Sequence, residues 1–437
     1  MNGAVIIGAG LAGAEAAWQI AGRGERVILY EMRPAITTPA HQTGHFAELV
    51  CSNSFRALSL ENAVGLLKEE MRLLDSLIIK CALEAQVPSG GALAVDRDIF
   101  SRRVTERLLK NPLVEIRFEE LTAIPEERPV VIATGPLTSP GFAGFLESFA
   151  GLGRLYFYDA AAPIITAESI DMKKAFFASR YGKGGEDYLN CPLNKEEYGL
   201  FWRELSQGET VVPREFEKEK FFEGCMPVEV LAKRGEDTLR YGPLKPVGLT
   251  APDQTRPYAV VQLRKEDKEG TLYNMVGFQT RLKWPEQSRI FRLIPGLESA
   301  EFVRLGVMHR NTYINAPLLL QASLQMKETA GVFWAGQITG VEGYVESAAM
   351  GLIAGINAYY YLTGAPLMVF PPETALGALT NYLVTADEKN FQPMNINFGL
   401  FPPLAVRAPR RNRKELLYKR SLEKLSGFQT YINSRKL

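Results

Sequence analysis

AVIIGAGLAGAEAAWQIAGRGERVILYE, residues 4 to 31, is the stretch whose reading decides the fold. AVII is a short apolar run of the kind found in a parallel strand buried on both faces. The next residues, Gly8-Ala9-Gly10-Leu11-Ala12-Gly13, match G-x-G-x-x-G and open a helix rich in small residues. The first glycine allows the tight turn, the second lets backbone approach a pyrophosphate, and the third lets helix and strand pack closely. The helix N-terminus then offers unpaired N–H groups and positive dipole charge to phosphates. RVILYE is a second buried strand, and Glu31 ends it eighteen residues after Gly13. An acidic residue about 20 residues past the motif accepts hydrogen bonds from both ribose hydroxyls and repels a 2′-phosphate. These residues predict a Rossmann-type dinucleotide site made of Gly8, Ala9, Gly10, Leu11, Ala12, Gly13 and Glu31, with Arg33 beside it.

Outward from that start, a helical stripe of Leu67, Met71, Leu74, Ile78 and Cys81 predicts one long helix from Asn62 to Gln86, with Cys81 in the core. VEIRFEE and RPVVIATG read as two more strands, the second closing at Ala133-Thr134-Gly135. From about Asp171 to Met275 the chain becomes richer in Lys, Glu, Tyr and Gly, with short helices. The buried-strand pattern returns at GVFWAGQ, residues 331 to 337, and a helix follows from about Glu342 to Leu362. The expected class is α/β: a Rossmann-type FAD-binding domain with a doubly wound, mostly parallel sheet and an inserted smaller α+β domain. Its parts are residues 1–170 and 276–404 for the FAD domain, 171–275 for the insert, and 405–437 for a basic C-terminal helix. FAD is favoured over NAD by the two later returns of the chain to the cofactor. These place Thr134, Gly135, Gly336, Gln337, Gly343 and Tyr344 in the site. A second G-x-G-x-x-G for a dedicated NAD(P)H domain is absent from the sequence.

Composition bounds the function less than charge distribution does. The 437 residues carry a net charge of +1, which points to no polyanion partner. From Ala405 onward, however, ten Lys/Arg face two Glu, a net +8 on a body of −7. Such a basic appendage suits a phosphate backbone, and a solvated helix explains it equally well. Cys51, Cys81, Cys191 and Cys225 are too widely spaced for paired zinc ligands and do not form a secreted disulfide pattern. No metal site is expected, and reduced thiols in a cytoplasm are. The N-terminus lacks the basic n-region of a signal peptide. The uncharged stretch Ser347 to Phe370 contains Asn357, Gly364 and Pro366, so it reads as a buried helix and turn rather than a membrane span.

The phrases GAGLAGAEAA, ELVCSNSFRA, GFQTRLKW, RLGVMHRNTYINAP, WAGQITGVEGYVESAAMGLIAGINA and NFQPMNINFGLFPPL together resemble the folate- and FAD-dependent tRNA uracil-5-methyltransferases. These are relatives of the larger wobble-uridine carboxymethylaminomethyl-modifying flavoproteins. The resemblance runs from Met1 past Leu404, and the missing long C-terminal helical domain favours the methyltransferases. It implies that methylenetetrahydrofolate gives a one-carbon unit to C5 of a T-loop uridine (position 54) of tRNA. Reduced FAD would complete the methyl group, and NADH or NADPH would reduce the flavin again. The implied partners are the tRNA T-arm and folate, with no membrane and no stable protein partner evident.

That chemistry calls for thiols. Uracil C5 is a poor nucleophile until a thiolate adds at C6, and a base must then remove the C5 proton. Cys225, in FFEGCMPVEVLAKRG, is placed just before a helix that Pro227 would start, a position that lowers a thiol pKa. Cys51, in ELVCSNSF, lies in a polar loop facing the cofactor. The family's functional cysteines fall on these two. Cys225 is assigned as the C6 nucleophile and Cys51 as the C5 proton acceptor, with the reversed roles still open. Cys191, polar-flanked in NCPLN, is not excluded by the residues alone. His309, with Asn311 nearby, suits the folate pterin, and an ordinary structural histidine fits as well. Tyr344 suits stacking on flavin or base, or plain packing. Lys283 and Arg289 suit a phosphate or the folate tail, or simple solvation. In the tail, Arg407, Arg410, Arg411, Arg413, Lys414, Lys419 and Arg420 cluster along a helix whose apolar side is Tyr418, Leu422 and Leu425. Arg410, Arg411, Arg413 and Lys414 are the expected tRNA-phosphate contacts. The competing readings are a flavin oxidoreductase or monooxygenase of small molecules, and a non-catalytic flavoprotein that binds RNA.

Overall fold

In the computed structural model, which describes residues 3–38, 40–150, 155–182, 185–211, 226–405 and 409–434, two sheets organise the chain. The first is parallel and five-stranded, in the order Val332–Trp334, Val130–Ile132, Ala4–Ile7, Val27–Tyr30, Val114–Arg117. Its central strands are almost wholly apolar because helices cover both faces. The chain first builds outward from Ala4–Ile7 to Val27–Tyr30 and Val114–Arg117, then crosses back to Val130–Ile132. The order therefore reverses beside Ile7, and the crevice at those carboxyl strand ends is where such sheets take ligands.

Small residues let two helices close over this sheet. Helix Leu11–Ala21 lies against helix Tyr344–Leu362 so tightly that a Cβ on Gly351 would sit 2.2 Å from the Ala12 carbonyl oxygen. One on Gly355 would lie 2.7 Å from that of Ala16. The stretch Ser347 to Phe370 is thus a buried helix, which ends at Leu362 and is followed by a turn at Gly364. Among the described residues no helix is long and apolar enough to cross a membrane.

The helix expected from Asn62 to Gln86 is two helices, Ala63–Leu73 and Leu77–Glu84. Asp75 between them takes φ 57°, and the Ser76 hydroxyl caps Ile79 N–H. The buried Glu15 carboxylate fixes the new start by accepting from Ser76 Oγ at 2.7 Å and Ile78 N–H at 3.0 Å. The apolar stripe continues across the break, which is why periodicity alone runs straight through it.

The second sheet is antiparallel and six-stranded: Phe176–Phe177, Tyr188–Leu193, Ala259–Lys265, Leu272–Met275, Ile164–Thr166, Phe302–Arg304. It has its own core, including Leu189, Cys191, Val261, Leu263, Phe201, Phe278 and Phe291. Helix Lys195–Gln207 covers it, started by a reciprocal capping box between Asn194 and Glu197. An antiparallel ribbon of Leu155–Ala160 with Met308–Tyr313 runs between the two units. The C-terminal helix, Arg410–Ser434, docks on the first unit through buried Leu417 and Leu425 and through Ser421, whose hydroxyl donates to Glu70.

Candidate active site

The glycine loop lines an open cleft whose empty space, counted out into solvent at its mouth, is roughly 1000 Å³. Gly8 has φ 97°, and a Cβ there would approach the Ala133 carbonyl oxygen to 2.7 Å. A Cβ on Gly13 would lie 1.8 Å from the Gly8 carbonyl oxygen, so this helix can meet its strand only without a side chain. Gly10, by contrast, faces open space. It is the N-cap of helix Leu11–Ala21 and brings no side-chain cap. The open backbone and the uncapped helix start fit the phosphates of a dinucleotide.

Of the residues expected around the cofactor, Gly8, Gly10, Leu11, Ala12, Glu31, Arg33, Thr134, Gly135, Gly336, Gln337 and Tyr344 line this cleft. Ala9, Gly13 and Gly343 are not on its wall. Ala9 instead donates its N–H to Glu31 Oε2 at 2.9 Å, and Gly13 serves the packing just described. The Glu31 carboxylate is fully engaged: besides Ala9 it accepts from Arg33 N at 3.0 Å, Nε at 2.9 Å and Nη2 at 3.2 Å. Burial alone would raise its pKa, but the hydrogen bonds and charge of Arg33 hold it below the usual carboxylate range. Arg33 reaches on to Glu48 at 3.3 Å, and Glu48 also lines the cleft. This end of the cleft therefore presents a paired Glu31–Arg33–Glu48 system rather than one free carboxylate.

At the other end the cleft meets the loop carrying Cys51. Tyr344 lines the cleft, and its buried hydroxyl accepts from Cys51 N–H at 2.8 Å and Ser52 N–H at 3.0 Å. Burial, and then the neighbouring Cys51, push the phenol pKa well up, so it stays protonated. The Cys51 Sγ is half-buried and lies 3.6 Å from the Ala160 carbonyl oxygen on the ribbon between the units. Three guanidinium groups grip the loop from outside. Arg97 donates to the Leu49 carbonyl at 2.5 Å and the Cys51 carbonyl at 3.3 Å. Arg304 donates to the Val50 carbonyl at 2.6 Å. Arg264 donates to Asn53 Oδ1 at 2.8 Å and Ser52 Oγ at 3.3 Å. Arg97 is paired with Glu266, which it meets at 2.7 and 3.2 Å.

Just beyond the loop, Arg56 pairs with the fully buried Glu346 in the first turn of helix Tyr344–Leu362. Glu346 also accepts from Ile396 N–H at 2.9 Å, tying the Cys51 segment to the NFQPMNINF segment. Lys68 donates to the Phe55 carbonyl at 2.8 Å. Burial, aided by the charge of Arg56, brings its pKa down to about 7.

Cys225 lies outside the described residues. Its neighbour Pro227 is the N-cap of helix Val228–Lys233. Cys191 is buried in the second core, where burial pushes its thiol up to about 12. Cys81 is buried beside Arg107 and raised, mainly by burial, to about 11. Neither environment suits a reactive thiolate. His309 pairs through its backbone with Asp159, and its side chain is outside the description. Asn311 is buried on the same strand. Lys283 is ion-paired with Glu209, and Arg289 with Glu204 and Glu286, all on the surface. In the tail, Arg407 and the side chains of Arg410 and Arg411 lie outside the description. Arg413 and Lys414 are exposed. Arg420 is turned inward onto the carbonyls of Pro402 and Pro403. Among the described residues no group of three or more His, Cys, Asp or Glu is placed to hold a metal ion.

The sequence matches the family model described as glucose inhibited division protein A over residues 3–366. It is 62% identical, over 426 residues, to a Pelotomaculum thermopropionicum protein named methylenetetrahydrofolate–tRNA-(uracil-5-)-methyltransferase TrmFO. That match covers 97% of this chain and 98% of the relative. A Listeria innocua protein of the same name is 60% identical over 421 residues, covering 96% of each chain. The chain belongs to the TrmFO family. It is therefore a methyltransferase within the wider GidA family. The structure of Aquifex aeolicus GidA, at 16% identity, superposes with a TM-score of 0.70 over 97% of this chain and 73% of that one. At that identity the likeness concerns the fold, a Rossmann-type FAD-binding architecture.

Several residues around the site carry no motif that a reading of the TrmFO-type sequence would single out. Glu48 and the loop Glu119 to Leu121 line the cleft. The latter was open to inference, since it follows the carboxyl end of a sheet strand. Arg97, Arg264, Arg304 and Glu266 had no local signal.

Proposed function

We propose that this protein methylates C5 of the T-loop uridine (position 54) of tRNA, taking the carbon from methylenetetrahydrofolate. FAD held in the cleft would supply the reducing power, and NADH or NADPH would restore it. The observation that carries this reading is the joint between cleft and thiol: Tyr344 lines one and holds the backbone of the other. A base presented to Cys51 would thus lie at the flavin end of the cleft.

Within this reading one cysteine thiolate adds to uracil C6, which loads C5 with enolate character and lets it attack the activated methylene. The other removes the C5 proton as tetrahydrofolate leaves the methylene, and the hydride that reduced flavin would supply completes the methyl group while the first thiolate is expelled from C6. Cys225 is the nucleophile and Cys51 the proton acceptor in our assignment. The two Tyr344 hydrogen bonds fix the Cys51 backbone, so its sulfur meets the ring at a set height. The first sheet and its helices would serve the cofactor. The second unit, whose sheet runs from Ile164 to Arg304 and so reaches past the expected 171–275 at both ends, and the basic helix, 405–437, would face the RNA. Arg413 and Lys414, with Arg410 and Arg411, would contact its phosphates, and His309 and Asn311 the folate.

The test is anaerobic. Protein whose flavin has been reduced with one equivalent of NADPH is mixed with folate donor alone, unmodified tRNA alone, or both. Rapid return of the oxidised flavin spectrum only with both supports the reading. Return with neither, driven by a small-molecule acceptor, would favour the oxidoreductase instead.

A further inference from the structure

The grip on the Cys51 loop has an unbalanced charge. Three guanidinium groups converge on residues Leu49 to Asn53, and only Arg97 has a carboxylate, Glu266. Arg264 is buried and Arg304 half-buried, and neither forms an ion pair among the described residues. Arginine cannot shed its charge to relieve this, and an unpaired buried charge is costly. Burial and the nearby Arg97 both disfavour the charged form of Arg304. Arg304 also makes only one hydrogen bond to the protein among the described residues, through Nη2 to Val50. Among the described residues its other N–H groups meet no acceptor. It sits on Phe302–Arg304, the edge strand of the second sheet, where its carrier has no further strand to pair with.

We propose that Arg304 is a phosphate-binding residue that receives the phosphate on the 5′ side of the nucleotide being methylated, with Arg264 and Arg97 supplying positive field behind it. The proposal rests on the tRNA-methylation reading above and on Cys51 acting at the pyrimidine. In an anti nucleotide the C5–C6 edge of a pyrimidine faces its own 5′ phosphate. Bringing C5 to Cys51 therefore brings that phosphate to the same loop, where Arg304 holds the adjacent residue, Val50. The carboxylates of a folate fit less well, because the aminobenzoyl group separates them from the reacting methylene. A guanidinium that already holds one backbone oxygen would also couple the arrival of substrate to the position of the thiol loop. Arg264 and Arg97, facing inward, would remain with the loop.

The experiment compares wild type, Arg304→Gln and Arg304→Lys. tRNA affinity is measured across KCl concentrations, along with flavin absorbance and the apparent KM for methylenetetrahydrofolate. Arg304→Gln should keep its flavin and folate KM, bind tRNA about tenfold more weakly, and lose roughly 0.7–0.9 from the slope of log affinity against log salt. Arg304→Lys should keep the slope. A tRNA with a neutral methylphosphonate 5′ to the target uridine should weaken wild type to the level of Arg304→Gln and leave Arg304→Gln unchanged. Unchanged affinity and slope in Arg304→Gln would overturn the proposal, leaving a residue that only holds Val50. So would equal methylphosphonate losses in both proteins, or a rise in folate KM alone. A wild type that neither binds nor methylates tRNA would instead remove the underlying reading.

Discussion

The two ends of the cleft are built from different materials. At the end expected to take phosphates the protein offers backbone, with glycines lacking side chains and an uncapped helix start, beside the paired Glu31, Arg33 and Glu48. At the thiol end it offers side chains from distant parts of the chain, with Arg97, Arg264, Arg304 and Tyr344 all holding one five-residue loop. The first design would hold a large anionic ligand by backbone groups set by close packing. The second holds a short loop by charge, so its geometry depends on charge balance. Substitutions should therefore fail in different ways at the two ends.

The largest effect is expected at the phosphate end. Gly13→Val places a side chain where even a Cβ would lie 1.8 Å from backbone, and backbone cannot yield there. The variant should lose bound flavin and destabilise by more than about 4 kcal/mol, read by absorbance and denaturant unfolding. Retained flavin at normal stability would break the account of that end. At the thiol end, Glu266→Gln leaves Arg97 without its carboxylate in a cage of three guanidinium groups. Breaking one member of a buried pair costs about 3–5 kcal/mol. The flavin should stay bound while Cys51 becomes faster to alkylate. Loss of flavin along with loop order would show that the two ends are one unit.

A third effect concerns the helix that carries the tail. Glu70 accepts from Ala375 N–H at 2.7 Å, Leu376 N–H at 2.9 Å and the Ser421 hydroxyl, and burial raises its pKa to about 7. The folded state thus holds this proton more tightly than the unfolded state, whose value is 4.5. The resulting stability is complete below pH 4.5 and is lost as pH rises through about 7. Against Glu70→Gln, wild type should lose on the order of 3 kcal/mol across that window, measured by unfolding at several pH values. A difference independent of pH would show that Glu70 is ionised throughout. The smallest effect is reserved for Arg413→Glu with Lys414→Glu. tRNA affinity should fall several-fold and its salt slope flatten, without change in flavin content. No change would leave the exposed basic helix merely solvated.

What could be read beforehand follows the same division. The Rossmann unit was legible because its requirements are local: a turn that needs Gly8, a contact that needs Gly13, and a strand that ends just before Glu31. The break at Asp75 was not, because Leu74 and Ile78 keep the helical stripe in phase across it, while Glu15 selects the second start from far away in sequence. Cys51 could be singled out by its family phrase, but its surroundings could not. Arg304 meets Val50 across 254 residues, and Arg264 meets Asn53 across 211. Cys191 and Cys51 looked alike in their polar flanks and differ in burial, which only packing decides.

The most direct test of the central claim is chemical. Purified wild type and Cys51→Ser would be incubated with NADPH, methylene-labelled tetrahydrofolate and unmodified tRNA, and the tRNA digested to nucleosides. Label in 5-methyluridine from wild type, absent from a Cys51→Ser protein that keeps its flavin and still binds tRNA, is the result predicted. Label at wild-type levels from Cys51→Ser, or none from a yellow, tRNA-binding wild type, would contradict it.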